Sequence, residues 1–211
     1  MTGIGLPHTL SRGLALAIAC GCLFLAACAT VETQSFIIPD NSRIESARIA
    51  VGADFSQYDR LQATDMGIYF PEGMTMPDED LQRLRYTFRS AFADELRTYT
   101  VSREPGPTTM TVEASLIDLR GAGSAAVATA SMRREIREVA APGSLVFLMQ
   151  LKDSQTGRVL ARAADSAKSP AFRTTADTQT DWQAVDDAAT HWARLFRSFL
   201  DENLGARVHT R

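Results

Sequence analysis

The chain has 211 residues, with 22 Lys and Arg against 25 Asp and Glu and a formal net charge of −3. This mildly acidic balance gives no footing for nucleic-acid binding, which calls for a concentrated basic face. The length suits one domain with a real core, and three cysteines in all exclude a scaffold built on disulfides.

The start of the chain reads as a leader. Residues 1–12 carry only His8 and Arg12 besides the terminal amine, and Gly13 to Ala27 (GLALAIACGCLFLAA) is uncharged. This is a weak n-region followed by an apolar run of signal-peptide length, short for a spanning helix of about 20 residues. It ends in Leu25-Ala26-Ala27-Cys28, which resembles the bacterial lipobox: a branched apolar residue, two small residues for a narrow cleavage groove, and a thiol to take a diacylglyceryl group. Cys20 and Cys22 compete for the role, but neither has leucine three residues upstream, and either would shorten the apolar run. Cleavage before Cys28 and acylation of Cys28 are the expectation. An ordinary secretory cut or an uncleaved N-terminal anchor are the alternatives, and each places the domain outside the cytoplasm.

All three cysteines lie in or at the end of this leader, so the mature chain keeps Cys28 alone and forms no intrachain disulfide. Residues 1–27 contain Arg12 and no acid, which leaves 21 basic against 25 acidic groups. More than one acyl chain gives stable anchoring, where a single chain binds only marginally. By resemblance to lipoprotein sorting, Ala29 in place of an aspartate implies the outer membrane, facing the periplasm.

Residues 29–45 are polar and read as a flexible tether, with Ile37-Ile38 able to dock on the domain. Arg48–Val51 is a short apolar extended piece. Asp59–Phe70 is predicted as one strand ended by Pro71-Glu72-Gly73. Thr75-Met76-Pro77-Asp78 announces a helix from Pro77 to about Tyr99, with Leu81, Leu84, Phe88, Phe92 and Leu96 as a single buried stripe and Asp78, Glu79 and Asp80 where the helix dipole is positive. Thr109–Leu119 alternates through Met110, Val112, Ala114 and Leu116 as a half-buried strand. Residues 120–143 are a long connection, read as a loop, a short charged helix or an extension of paired strands. Ser144–Leu151 and Arg158–Ser166 form a hairpin across the turn Asp153-Ser154-Gln155-Thr156-Gly157. Thr180-Asp181-Trp182-Gln183 is a predicted capping box opening a helix striped by Trp182, Val185, Ala189, Trp192, Phe196 and Phe199, with Gly205 as its C-cap.

The predicted fold class is α+β: an antiparallel sheet of about four strands with two helices packed on one face. The boundaries are 1–27 signal peptide, 28–45 acylated cysteine and tether, 46–205 a single domain and 206–211 a tail. Three segments in this order after a lipobox, residues 52–58 (GADFSQY), residues 153–161 (DSQTGRVLA) and the helix with Trp182 and Trp192-Ala193, resemble a family of proteobacterial lipoproteins, domain of unknown function 3313. The resemblance implies an envelope lipoprotein and supplies no catalytic residues.

Catalytic constellations are scarce. The mature chain has only His191 and His209. His191 follows Asp187 by one helical turn, but a metal site needs three or four ligands. There is no nucleophile elbow, and Gly121-Ala122-Gly123-Ser124 lacks the Lys-Ser/Thr of a phosphate loop. Asp78-Glu79-Asp80 lacks the spaced oxygens of a calcium loop, and Trp182 and Trp192 sit at core spacing. Arg133–Glu138 reads as a solvated helix face or, as part of a long excursion, as a place where a partner docks. The expectation is therefore no catalytic residue, no metal and no cofactor. The first-ranked function is a non-enzymatic protein-interaction or assembly module, contacting an envelope protein or another copy of itself. The alternative is a binding protein for a small apolar or lipidic ligand held between sheet and helices.

Overall fold

The computed structural model describes residues 35–38, 43–71, 73–119, 133–173 and 178–204. Contacts divide the chain into two units, Met1–Thr33 and Gln34–Arg211. The first, which contains Cys28, lies outside the described residues, as do Gly121–Ser124, Gly205 and His209.

In chain order the second unit runs β1 (Phe36–Ile37), β2 (Ser46–Ala50), a 3-10 turn (Phe55–Gln57), β3 (Arg60–Ala63), β4 (Gly67–Tyr69), α1 (Asp78–Glu95), β5 (Thr100–Val101), β6 (Thr109–Asp118), α2 (Arg133–Val139), β7 (Ser144–Asp153), β8 (Val159–Lys168) and α3 (Trp182–Leu204). The strands make one eight-stranded sheet in the order β1-β2-β8-β7-β6-β3-β5, with β4 also on β6. β3 pairs with β5 and β6 in parallel, as does β4 with β6, and the remaining pairs are antiparallel.

This corrects the predicted fold class. Among the described residues the sheet has eight strands, not about four, is mixed rather than antiparallel, and carries three helices rather than two. The physical reason is strand length. β1 and β5 have two residues each, too few for alternation to register, and parallel pairing depends on partners far apart in sequence. The predicted strand 59–70 is two strands, broken at Thr64–Met66, that line the same edge of β6: Arg60–Ala63 against Thr109–Val112 and Gly67–Tyr69 against Ser115–Ile117.

Alternation sorts the long strands between two faces. Met110, Val112 and Leu116 of β6 and Leu145, Phe147, Met149 and Leu151 of β7 point toward α1 and α3 in the main core. Val146, Leu148 and Ile117 point the other way and are covered by Ile136 and Val139 of α2. The third helix thus answers apolar residues on the second face that two helices on one side would leave wet. A bulge between Leu151 and Lys152 turns both Leu160 and Ala161 of β8 into the main core. The β7–β8 turn is built by Asp153, whose Oδ1 accepts from the amides of Gln155 and Thr156 and from the Thr156 hydroxyl at 2.7–3.1 Å. Gly157 takes φ +70° there, a conformation that suits glycine.

Both helix starts differ from expectation. α1 begins at Asp78 with Pro77 as N-cap and no side-chain capping bond. At α3 the Asp181 carboxylate accepts the amide of Ala184 at 3.1 Å, while Thr180 is engaged elsewhere, its hydroxyl donating to Asp80 at 2.9 Å and accepting the Arg173 amide at 3.0 Å.

Candidate functional site

The predicted stripe of α1 is only partly buried. Leu84 and Phe88 are enclosed, but Leu81, Phe92 and Leu96 are half-buried. α3, in contrast, buries nine side chains, Trp192, Phe196 and Phe199 among them. The difference marks a cleft of about 470 Å³ between α1 and the β3–β6 side of the sheet.

Its floor is aromatic. Phe147 lies 5.6 Å from Phe92 and 6.4 Å from Phe88, centroid to centroid, and Phe196 lies 5.9 Å from Phe92. The sheet wall is built from small side chains, Ala63, Thr64, Val112 and Ala114, and the far end from Tyr99 and Val101. The mouth carries Asp65, Arg85, Arg89 and Arg97.

The cleft exists because α1 is fastened at its two ends. Near its start, Arg173 Nε and Nη2 reach Asp80 at 3.1 and 3.0 Å, and Arg173 also pairs with Glu79. At its end, Arg194 Nε meets Glu95 at 3.3 Å and Arg197 Nη1 donates to the Glu95 carbonyl at 2.7 Å. The Tyr99 hydroxyl donates to Asp201 of α3, and burial, reinforced by that carboxylate, raises the Tyr99 pKa. Between these fastenings the helix spans Ala63 and Ala114, whose side chains are too short to fill the gap.

The residues singled out from sequence fall elsewhere. Asp78-Glu79-Asp80 supplies the Arg173 clamp. Trp192 is core, stacked on Phe147 at 5.1 Å, and Trp182 is half-buried under the Arg83 guanidinium at 4.2 Å. His191 is paired with Asp165 of β8 at 3.3 Å rather than with Asp187, which accepts from Gln183 at 3.0 Å. Neither His191 nor Asp165 lines the cleft. The run 133–138 is not a fully solvated face, because Glu135 and Ile136 are 2% exposed. Among the described residues no group of three or more His, Cys, Asp or Glu could hold a metal, and no helix is long and apolar enough to cross a membrane. Sequence inspection missed Arg85, Arg89 and Arg97. Their signal is a stripe at steps of four and eight, one position beyond Leu84, Phe88 and Leu96.

A family sequence model, described as protein of unknown function (DUF3313), matches residues 40–196. The chain belongs to this family. The match takes in every residue lining the DUF3313 cleft, from Leu61 to Phe196, and stops short of Cys28. No curated protein matches the sequence. Among solved structures, the chain is similar to a PelC dodecamer subunit from Paraburkholderia phytofirmans, at 13% identity over 79% of this chain and 98% of that one, with a TM-score of 0.38. It is also similar to protein XCC0632 from Xanthomonas campestris, at 13% identity over 69% and 88%, TM-score 0.37. A candidate lipoprotein from Caulobacter crescentus matches at 14% identity over 65% and 88%, TM-score 0.30.

Proposed function

We propose that this DUF3313 chain is a non-enzymatic lipoprotein of the outer membrane, held at the periplasmic face by acyl groups on Cys28, whose domain binds a small apolar ligand between α1 and the sheet. The observation that carries the reading is the cleft of about 470 Å³, inside the about 300–1,000 Å³ of small-molecule sites. Its lining fits the same class of site: aromatic and aliphatic side chains with a few polar groups at the rim. The anchor rests on Leu25-Ala26-Ala27-Cys28. The cleft reverses the order of the two sequence-based readings, because it offers a volume for a ligand.

Extraction of the protein into lipid-preserving polymer discs, followed by mass spectrometry, checks this. A small apolar molecule at about one per chain is expected to co-purify, and to be lost on Ala114→Phe, which fills the cleft. A wild-type chain with an empty cleft and a protein cross-linked to α1 returns the assignment to a protein partner.

A further inference from the structure

The mouth of the cleft is more specific than its floor. Arg85 and Arg89 stand one helical turn apart on α1, where like charges repel. The one acid at the mouth is Asp65, which meets Arg89 at 3.7 Å with side chains 98% and 74% exposed, a pair that contributes little. Arg85 is half-buried and has no ion-pair partner among the described residues. A chain with net charge −3 thus places two adjacent guanidiniums over an apolar trough. Guanidinium forks match the two oxygens of a carboxylate.

Volume and length limit what lies below that pair. The cleft of about 470 Å³ lies in the lower half of the range of about 300–1,000 Å³ for small-molecule sites. A single acyl chain belongs to that size class. From Arg85 to the end of α1 at Glu95 the helix advances ~15 Å at 1.5 Å per residue, a path along which such a chain runs past Phe88 and Phe92. Its end would cover Val101, a cleft residue left 66% exposed.

We infer that the cleft takes a long-chain fatty acid anion, with its carboxylate on Arg85 and Arg89 and its chain along Phe88 and Phe92 toward Val101. This rests on the apolar-ligand reading and adds the head group, the single chain and its direction.

The test is photo-labelling of the full chain, held in phosphatidylcholine nanodiscs, with a palmitate analogue carrying a diazirine on its chain. Labelled peptides are mapped and compared with those from a hexadecanol analogue. Label is expected within 86–101 and 109–118. It should fall about tenfold when Arg85→Gln and Arg89→Gln are combined, the loss of charge-assisted hydrogen bonds. It should stay near wild type in Arg103→Gln, an exposed arginine outside the cleft lining, and the hexadecanol label should ignore all three arginines. Palmitate label that survives the Arg85→Gln, Arg89→Gln pair but vanishes in Ala114→Phe overturns the anionic head and leaves the apolar-ligand reading standing. Label that Ala114→Phe does not reduce overturns both. Displacement of the probe by lysophosphatidylglycerol at lower concentration than by palmitate overturns the carboxylate. Should Ala114→Phe melt early, Ala63→Leu on the exposed wall gives the same comparison.

Discussion

Asp165 ties three parts of the chain together. Its carboxylate, 6% exposed, accepts Trp192 Nε1 at 2.8 Å, contacts His191 Nε2 at 3.3 Å and accepts the Glu45 amide at 3.3 Å. The Trp192 indole is 1% exposed, so without Asp165 its N–H has no water to turn to. Leaving a buried donor unsatisfied costs about 1–3 kcal/mol. Asp165→Ala is therefore expected to lower the urea midpoint by that much stability, and Asp165→Asn, which keeps an acceptor, by clearly less. Equal losses in the two variants would show that the hydrogen bond is not what the carboxylate contributes. The Trp192 half of this pair was legible, since three- and four-residue steps place it on a buried stripe. The Asp165 half was not. It lies on another element 27 residues away, and sequence inspection turned to Asp187 because helical spacing offers it.

At the scale of elements, α2 is a short helix held by chemistry as much as by packing. Ile136 and Val139 cover the second face of the sheet, while Arg48 of β2 lies 3.5 Å from the buried Glu135 and pairs with Glu138. Ser46 donates to Glu138 at 2.6 Å. That hydrogen bond, with Arg48 beside it and against the cost of burial, holds the Glu138 carboxyl below its ordinary 4.5. A depressed folded value means the stabilisation is complete above the ordinary value and is lost as pH falls through the depressed one. Amide protection at the Ala140 N–H, bonded to the Ile136 carbonyl at 2.7 Å, should therefore decline below pH 4.5 before protection in α3 does. Glu138→Gln should remove that difference. Replacing 133–143 by a short linker strips two apolar side chains, Ile136 and Val139, from the second core at about 1.5–3 kcal/mol each and is expected to lower the melting temperature. Seven residues are too few for periodicity to show which charges of the run 133–138 turn inward, which is why it reads as a solvated face.

For the whole molecule, the proposed anchor at Cys28 and the proposed ligand site in the cleft should separate experimentally. Cys28→Ser is expected to abolish acyl labelling and release the protein from membranes while leaving its melting profile intact. Persisting label would transfer the acyl site to Cys20 or Cys22. The cleft should bind equally well in the released chain, because its lining lies wholly within residues 61–196.

The hairpin read at 144–166, the strand read at 109–119 and the two long helices were legible in sequence alone, because each is written in local chemistry: turn residues between alternating runs, apolar steps of three and four. What only the tertiary structure decided is how those pieces meet. Whether Phe92 and Leu96 are buried or line an open cleft depends on Ala63 and Ala114, brought opposite them by parallel pairing of β3 with β6. Whether Arg85 faces a partner or stands without one depends on what the sheet places across from α1. Periodicity reports which side of an element is apolar. Only packing decides whether that side is filled.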